Sequence, residues 1–223
     1  MKAIPVSILI LLSAAWTSQL FSQEVIICPD QPIPPGWVVI DVETCAGCCT
    51  PGQLDYRPVI RKVDTLAPET ELTVCPQPMP DGWVITDYKT CAGCCGQPGQ
   101  LVYQPVIKKT DHLPAGTELT VCPQTLPWGW VITDMTSCAG CCAQPGQLVY
   151  QPEITRIDLY PLGTRVEICP DQDIPPGWVV VKTSTCAGCC GQPGKLVYRQ
   201  VIEKIEEIRP VYRLRYFKPE QQD

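Results

Sequence analysis

A cysteine motif recurs in this chain every 47 residues, and this repeat limits the possible folds more than any other feature of the sequence. The first cysteine of each copy is followed by Pro: Cys28, Cys75, Cys122 and Cys169. A Gly-Trp pair comes next, then the pentapeptide Cys-Ala-Gly-Cys-Cys, then Pro-Gly and a Leu-x-Tyr segment. A motif at a fixed period predicts tandem copies of one small structural unit.

The cysteines all belong to the repeat, with four in each copy and none left over. A copy of 47 residues buries too little apolar surface to be stable alone. We therefore interpret the cysteines as structural disulfides, which stabilise a fold by about 2–4 kcal/mol each. The residues are Cys28, Cys45, Cys48, Cys49, Cys75, Cys91, Cys94, Cys95, Cys122, Cys138, Cys141, Cys142, Cys169, Cys186, Cys189 and Cys190.

The pairing within a copy has two possible solutions. Four cysteines can pair in three ways, and a bond between adjacent cysteines is strained. In copy two this leaves Cys75–Cys94 with Cys91–Cys95, or Cys75–Cys95 with Cys91–Cys94. The sequence does not choose between them.

Each copy is predicted to form three β-strands and no helix. In copy two the strands are Glu71 to Cys75, Trp83 to Tyr88 and Leu101 to Lys108, with β-branched residues such as Val84 and Ile85 in the second. A proline lies inside the third strand of copies one to three, at Pro58, Pro105 and Pro152. Because proline cannot donate to a strand ladder, we expect the third strand to be a sheet edge there, or to be bulged.

The repeat divides the chain into six segments. They are a signal peptide at 1–22, four repeats at 23–70, 71–117, 118–164 and 165–208, and a C-terminal capping strand and tail at 209–223. The connectors Leu113 to Thr117 and Tyr160 to Thr164 look like hairpin turns, and Val211 to Phe217 is predicted to be the first strand of an incomplete fifth copy. The predicted fold is all-β and disulfide-rich: four tandem three-stranded modules that form an antiparallel meander or a bead-like array.

The N-terminal segment has the pattern of a secretory signal peptide. Lys2 precedes a largely apolar run from Ile4 to Trp16 that is short for a membrane span, and Ser22 favours cleavage before Gln23, with cleavage after Ser18 as the alternative. We therefore expect a secreted, cell-surface or periplasmic protein with no stable membrane insertion after signal cleavage.

Charge and composition argue against several classes of function. The net charge is −6 and basic residues do not cluster, which disfavours nucleic acid as a partner. His112 is the only histidine and lies in a connector, so a hydrolase mechanism with a histidine base has no support. We predict a protein that is not an enzyme and that uses neither a cofactor nor a metal.

Two other chemistries are possible for the cysteines. The spacing Cys-x2-Cys followed by a further cysteine suits a thiolate zinc site, but adjacent cysteines chelate one ion poorly and an oxidising compartment removes the thiolates. The same spacing occurs in disulfide exchange proteins, but there it opens a helix in a βαβ unit, which this sequence lacks. Both hypotheses rank below structural disulfides.

The aromatic residues suggest a structural or binding role toward an extracellular protein or glycan. Each copy has a Trp after Gly, which either packs over the disulfides or offers a platform for a ligand: Trp37, Trp83, Trp130 and Trp178. Trp128 occurs only in copy three, within a Pro-rich loop, and is the better candidate for an exposed contact. The alternative is a multi-module protease inhibitor, in which the Pro-rich loops such as Gln77 to Asp81 would enter the protease.

We predict eight disulfides in the exported protein. Intact-mass measurement before and after reduction should show a gain of 16 hydrogens, one for each of the 16 cysteines. Folded protein with free thiols and bound zinc would contradict the disulfide interpretation.

Overall fold

The computed structural model describes residues 24–207, which form twelve β-strands. This range contains no helix that could span a membrane. In chain order the strands are β1 (Glu24–Ile26), β2 (Trp37–Ala46), β3 (Leu54–Lys62), β4 (Glu71–Thr73), β5 (Trp83–Ala92), β6 (Leu101–Lys109), β7 (Glu118–Thr120), β8 (Trp130–Ala139), β9 (Leu148–Arg156), β10 (Arg165–Ile168), β11 (Trp178–Ala187) and β12 (Leu196–Lys204).

The strands form four antiparallel sheets of three strands, one for each repeat, which we call modules 1 to 4. In every sheet the third strand lies between the first and the second, in the orders β1-β3-β2, β4-β6-β5, β7-β9-β8 and β10-β12-β11. The all-β class and the four repeated three-stranded modules are therefore confirmed.

The connectors between modules are not hairpin turns. Thr117 pairs with Arg156 at the end of its own module's third strand, where the Arg156 N–H donates to the Thr117 carbonyl at 2.9 Å. The connector from 113 to 117 therefore leads from one sheet into the next, and the sheets are separate rather than parts of one meander.

Strand lengths also differ from the prediction. The second strand of module 2 continues beyond Tyr88 to Ala92, and so carries Cys91, while the first strand stops at Thr73. In module 4 the third strand ends at Lys204, short of the end of the predicted repeat at residue 208. The predicted capping strand, Val211 to Phe217, and the signal peptide lie outside the described residues.

The prolines of modules 1 to 3 occupy the central strand of their sheets, so the prediction of a sheet edge is wrong, and the bulge lies in the neighbouring second strand rather than in the strand that carries the proline. Pro58 pairs with Val42 of β2, and a bulge between Val39 and Asp41 of β2 lies next to this pair. Proline can still accept a hydrogen bond, and its carbonyl receives the N–H of Ile27 at 3.0 Å, just beyond the end of β1.

The apolar cores lie between modules rather than inside them. Trp83 of module 2 is 4% exposed and packs with Val38 and Val63 of module 1 and with Val74 and Ile107 of its own module. Equivalent clusters surround Trp130 at the next boundary and Trp178 at the last one. Consecutive modules share their cores, so they are stacked and are not independent beads.

A glutamine side chain fixes the register between each pair of modules. Gln77, two residues after the first cysteine of module 2, receives the N–H of Val39 and donates to the Val39 carbonyl, both at 2.9 Å. The Cys75 N–H donates to the same carbonyl at 2.9 Å. Gln124 on Ile85 and Gln172 on Ile132 make the same pair of bonds at the next two boundaries, and we call this arrangement the glutamine clamp.

A basic residue at the end of the third strand satisfies the carbonyls of the preceding connector. Lys109 is 3% exposed, and its Nζ donates to the carbonyls of Asp64 at 2.6 Å and Leu66 at 2.8 Å. Arg156 and Lys204 take this position at the next two boundaries. The carbonyls of the connector thus have hydrogen-bond donors that apolar neighbours could not supply.

We predict that the glutamine clamp stabilises each boundary. The change Gln124→Ala leaves the Ile85 N–H without its partner and should lower the free energy of unfolding by about 1–3 kcal/mol in urea denaturation. Gln31 is the matched control, because it holds the same place in module 1 and bonds only the nearby Cys28 N–H. The change Gln31→Ala should cost less than about 0.5 kcal/mol in dilute solution, and equal effects would contradict the role of the clamp.

Candidate functional site

The structure pairs the first cysteine of each module with the fourth, and the second with the third. The longer disulfides join cysteines that are 20 or 21 residues apart in the sequence, with Cα–Cα distances of 5.5–5.8 Å: Cys28–Cys49, Cys75–Cys95, Cys122–Cys142 and Cys169–Cys190. The shorter disulfides join cysteines that are 3 residues apart, with Cα–Cα distances of 5.7–5.9 Å: Cys45–Cys48, Cys91–Cys94, Cys138–Cys141 and Cys186–Cys189. Of the two pairings that the sequence leaves open, the structure therefore has Cys75–Cys95 with Cys91–Cys94.

The longer disulfide of each later module also packs against the module before it. Cys122 and Cys142 form a cluster with Val149 of their own module and with Ile85 and Tyr88 of module 2. This burial raises the pKa of the Tyr88 hydroxyl. The disulfides therefore belong to the boundaries between modules as well as to the modules themselves.

The Asp134 carboxylate lies close to the Cys169–Cys190 disulfide. An oxygen of Asp134 and the sulfurs of Cys169 and Cys190 are within 4.8 Å of one another. The two sulfurs are bonded to each other and so are not thiolates in this form. The Asp134 Oδ1 accepts the Cys190 N–H at 2.8 Å, which gives the carboxylate a structural role across the last boundary.

The repeated Trp residues differ in their access to solvent. Trp83, Trp130 and Trp178 are only 4–6% exposed, so their faces are not open to a ligand in this conformation. Their burial favours the packing interpretation, although they pack on the preceding module rather than over their own disulfides. Trp37, which has no module before it within the described residues, is half-buried.

Each buried Trp depends on the glycine before it. Gly129 has φ of +83°, which turns the chain out of the Pro-rich loop and into β8. Its carbonyl accepts the Ile157 N–H at 2.8 Å. A Cβ at this position would lie 2.6 Å from the Asp158 side chain, so any larger residue would push Asp158 away.

Trp128 is 46% exposed and borders a cleft of about 610 Å³ between the Pro-rich loops of modules 2 and 3. Apolar and aromatic residues form much of the cleft, and polar groups converge at its rim. Its walls include Met79, Asp81, Trp83, Asp111, Leu126, Pro127, Trp128, Trp130, Arg156 and Asp158. The cleft therefore combines an exposed indole with carboxylates at a boundary that the glutamine clamp holds in place.

The charges of the cleft are not equally available. Arg156 donates to both carboxylate oxygens of Asp158, at 2.8 and 3.1 Å, and to the Leu113 carbonyl at 2.6 Å. Asp81 and Asp111 are exposed. These two carboxylates are the acceptors that a ligand beside Trp128 would meet.

A second surface, which the sequence analysis did not identify, is a set of exposed leucines. One leucine at the start of the third strand of each module is 58–61% exposed: Leu54, Leu101, Leu148 and Leu196. The repeated Leu-x-Tyr segment contains these residues, but alternation alone did not show which of its side chains would face solvent. The acids of the cleft were missed because they come from connectors and loops of two different modules.

Module 1 carries a carboxylate that the other modules lack. Asp55 is buried and its Oδ2 accepts the N–H groups of Cys49 at 2.7 Å and Thr50 at 3.1 Å. These hydrogen bonds hold the pKa of the Asp55 carboxyl below its usual range. Valine takes this position in modules 2 to 4, at Val102, Val149 and Val197.

Comparison of the chain with protein-family models, with curated proteins and with solved structures finds no match.

We predict that Asp55 makes module 1 sensitive to acid. Because the folded pKa is lowered, the ionised carboxylate stabilises the module above about pH 4, and this contribution is lost as the pH falls through the folded pKa. The changes Asp55→Asn and Asp55→Val should destabilise module 1 at neutral pH and bring its stability closer to that of the wild type in acid. Hydrogen exchange of module 1 amides as a function of pH measures this, and parallel pH profiles would contradict it.

Proposed function

We propose that this chain is a non-catalytic extracellular binding protein whose stacked modules present a glycan-binding cleft at Trp128. The repeated, cysteine-rich all-β architecture is compatible with a structural or binding role, and eight disulfides are typical of an oxidising environment. Secretion and the glycan are the further steps of the proposal. The observation that carries it is the exposed Trp128 indole beside the carboxylates of Asp81 and Asp111.

The chemistry of this cleft suits a sugar. A pyranose ring offers an apolar face that stacks on an indole, and its hydroxyls donate to carboxylates placed at the rim. A cleft of about 610 Å³ has the size of a site for a small ligand such as a short oligosaccharide. The same groups accept a cationic peptide less well, because the Arg156 guanidinium lies among them and already occupies Asp158.

The loop that carries Trp128 is held at both ends, which supports binding by a preformed site. Gln124 is clamped to Ile85 of module 2, and Leu126 packs into the core shared by modules 2 and 3. Trp130 anchors the other end in the same core. Since little freedom remains to be lost on binding, a small ligand can be bound without ordering the loop.

The same contacts make protease inhibition less well supported. An inhibitory loop must enter a protease as an exposed extended segment, but Met79 and Leu126 at the centres of two such loops face the shared cores. The clamped Gln77 and Gln124 fix the loop starts in the boundaries. Release of these residues would cost the contacts that join the modules.

We predict that Trp128 provides most of the sugar affinity. Screening on a glycan array followed by tryptophan fluorescence titration with the best oligosaccharide should show binding that Trp128→Ala weakens at least about tenfold, since truncation of an aromatic hot-spot residue costs about 2 kcal/mol or more. Trp128→Phe should retain part of the affinity. Asp81→Asn should weaken binding less.

The matched control is Leu148→Ala, which removes an exposed apolar side chain outside the cleft and should leave sugar affinity unchanged. Equal affinity of wild type and Trp128→Ala would contradict the proposed site. Binding only of cationic peptides, with strong weakening by salt, would contradict a sugar as the ligand.

A further inference from the structure

The boundary between modules occurs three times, and each module therefore has two different faces. We call the trailing face the side of a module that receives the next one; in module 1 it comprises Val38, Val39 and Val63. We call the leading face the side that docks on the preceding module; in module 2 it comprises Leu72, Gln77 and Met79. Within residues 24–207 the trailing face of module 4 and the leading face of module 1 are the two ends of the array.

The trailing face of module 4 keeps its apolar character although no described module covers it. Val179 and Ile205 take the places that Val131 and Ile157 hold in module 3. The module 3 residues are at most 1% exposed, whereas Val179 is 37% and Ile205 is 56% exposed within the described part of the chain. Val180 stands where Ile132 receives the clamp of Gln172, and it is 45% exposed.

The leading face of module 1 has the complementary groups. Val25 and Ile33 take the places of Leu72 and Met79, which pack against module 1 in the first shared core. Both Val25 and Ile33 are more than 40% exposed. Gln31 has the position of Gln77, but its Oε1 bonds only its neighbour, the Cys28 N–H, at 3.1 Å.

The two ends also differ from the inner boundaries in one charged residue each, and these two residues have opposite charges. At the last inner boundary the Asp134 carboxylate accepts the Cys190 N–H at 2.8 Å. At the trailing face of module 4 this aspartate is replaced by Lys182, and in module 1 the Cys49 N–H that corresponds to Cys190 already has its acceptor in Asp55, at 2.7 Å. If the ends meet as inner modules do, Lys182 lies opposite the Asp55 carboxylate.

We propose that copies of this protein bind head to tail, with the leading face of module 1 docked on the trailing face of module 4 of another copy. In this contact Gln31 clamps the backbone of Val180, Ile33 and Val25 cover Val179 and Ile205, and Lys182 pairs with Asp55. A second copy is favoured over the predicted capping strand Val211 to Phe217 of the same chain, because it continues a boundary already used three times and because its charges are complementary. Since the two faces are different, the contact leaves one of each unused and produces linear chains.

The experiment uses the full exported chain, after removal of its signal peptide. Sedimentation velocity across a wide range of protein concentration should show species that grow in whole multiples of the monomer mass. Over the same range, hydrogen exchange at the Val180 amide should become slower as the protein concentration rises, because the clamp of Gln31 protects it. A single monomeric species at every concentration would overturn the proposal.

Variants identify the contact. The change Val180→Asp should weaken association at least about tenfold, because it buries an unpaired charge. Lys182→Glu should also weaken it, whereas Lys182→Arg should retain it, and Gln31→Ala should weaken association in spite of its small effect on the monomer. The matched control is Leu148→Asp, which adds the same charge at an exposed residue away from both ends and should leave association unchanged.

Two further outcomes would overturn the proposal. Protection of the Val180 amide that does not depend on concentration would show that residues 208–223 of the same chain cover the trailing face. Association that Val180→Asp and Lys182→Glu leave unchanged would show that copies meet through another surface. Neither outcome affects the test of the Trp128 cleft, which uses protein at dilute concentration.

Discussion

The burial of one Trp side chain between each pair of consecutive sheets is the contact on which the array depends. Trp83 reaches across to Val38 and Val63, which belong to the sheet of another module, so neither module encloses an apolar core without the other. Loss of a buried Trp costs about 3–5 kcal/mol in typical cores, which is a large part of the stability of a small domain. The structure therefore behaves as a repeat array whose stability lies in its boundaries.

The disulfides and the polar contacts act on this same boundary. The longer disulfide of each later module packs on the second strand of the preceding one, as Cys122–Cys142 does on Ile85 and Tyr88. The glutamine clamp then satisfies backbone groups that the bulge in that strand turns toward the neighbour, and Lys109 does the same for the connector. Covalent links restrict each module, and the shared core with its satisfied hydrogen bonds sets how one module sits on the next.

The sequence predicts the features that depend on local pattern and misses those that depend on contacts between repeats. The β-branched residues predict a strand at 83–88, which the structure extends to 92, and the period of the cysteines predicts their framework. The sequence does not predict the order of the strands, because nothing in it shows that the Pro58 carbonyl, rather than its missing N–H, faces the neighbouring residue Ile27. Gln77 carries no local pattern that indicates a partner 38 residues away, and the acids of the Trp128 cleft meet only when two modules stack.

The two ends of the described array differ from its inner boundaries in which charged residues they carry. Arrays that stop at the last repeat usually have polar outer faces, because an exposed copy of the inner boundary invites further association. Within residues 24–207 the outer faces instead keep exposed apolar side chains, such as Val179 and Ile205 at one end and Val25 and Ile33 at the other. At each end one charged residue also differs from the other modules: Lys182 in module 4 and Asp55 in module 1. In module 1 the Cys49 N–H donates to Asp55 of the same module, whereas in module 4 the Cys190 N–H donates to Asp134 of module 3. An aspartate in place of Lys182 would repel Asp55 if the two ends met. Solubilisation alone would account for Lys182 but not for Asp55, which is buried and bonded within module 1; the head-to-tail contact that we propose would place the two residues opposite each other.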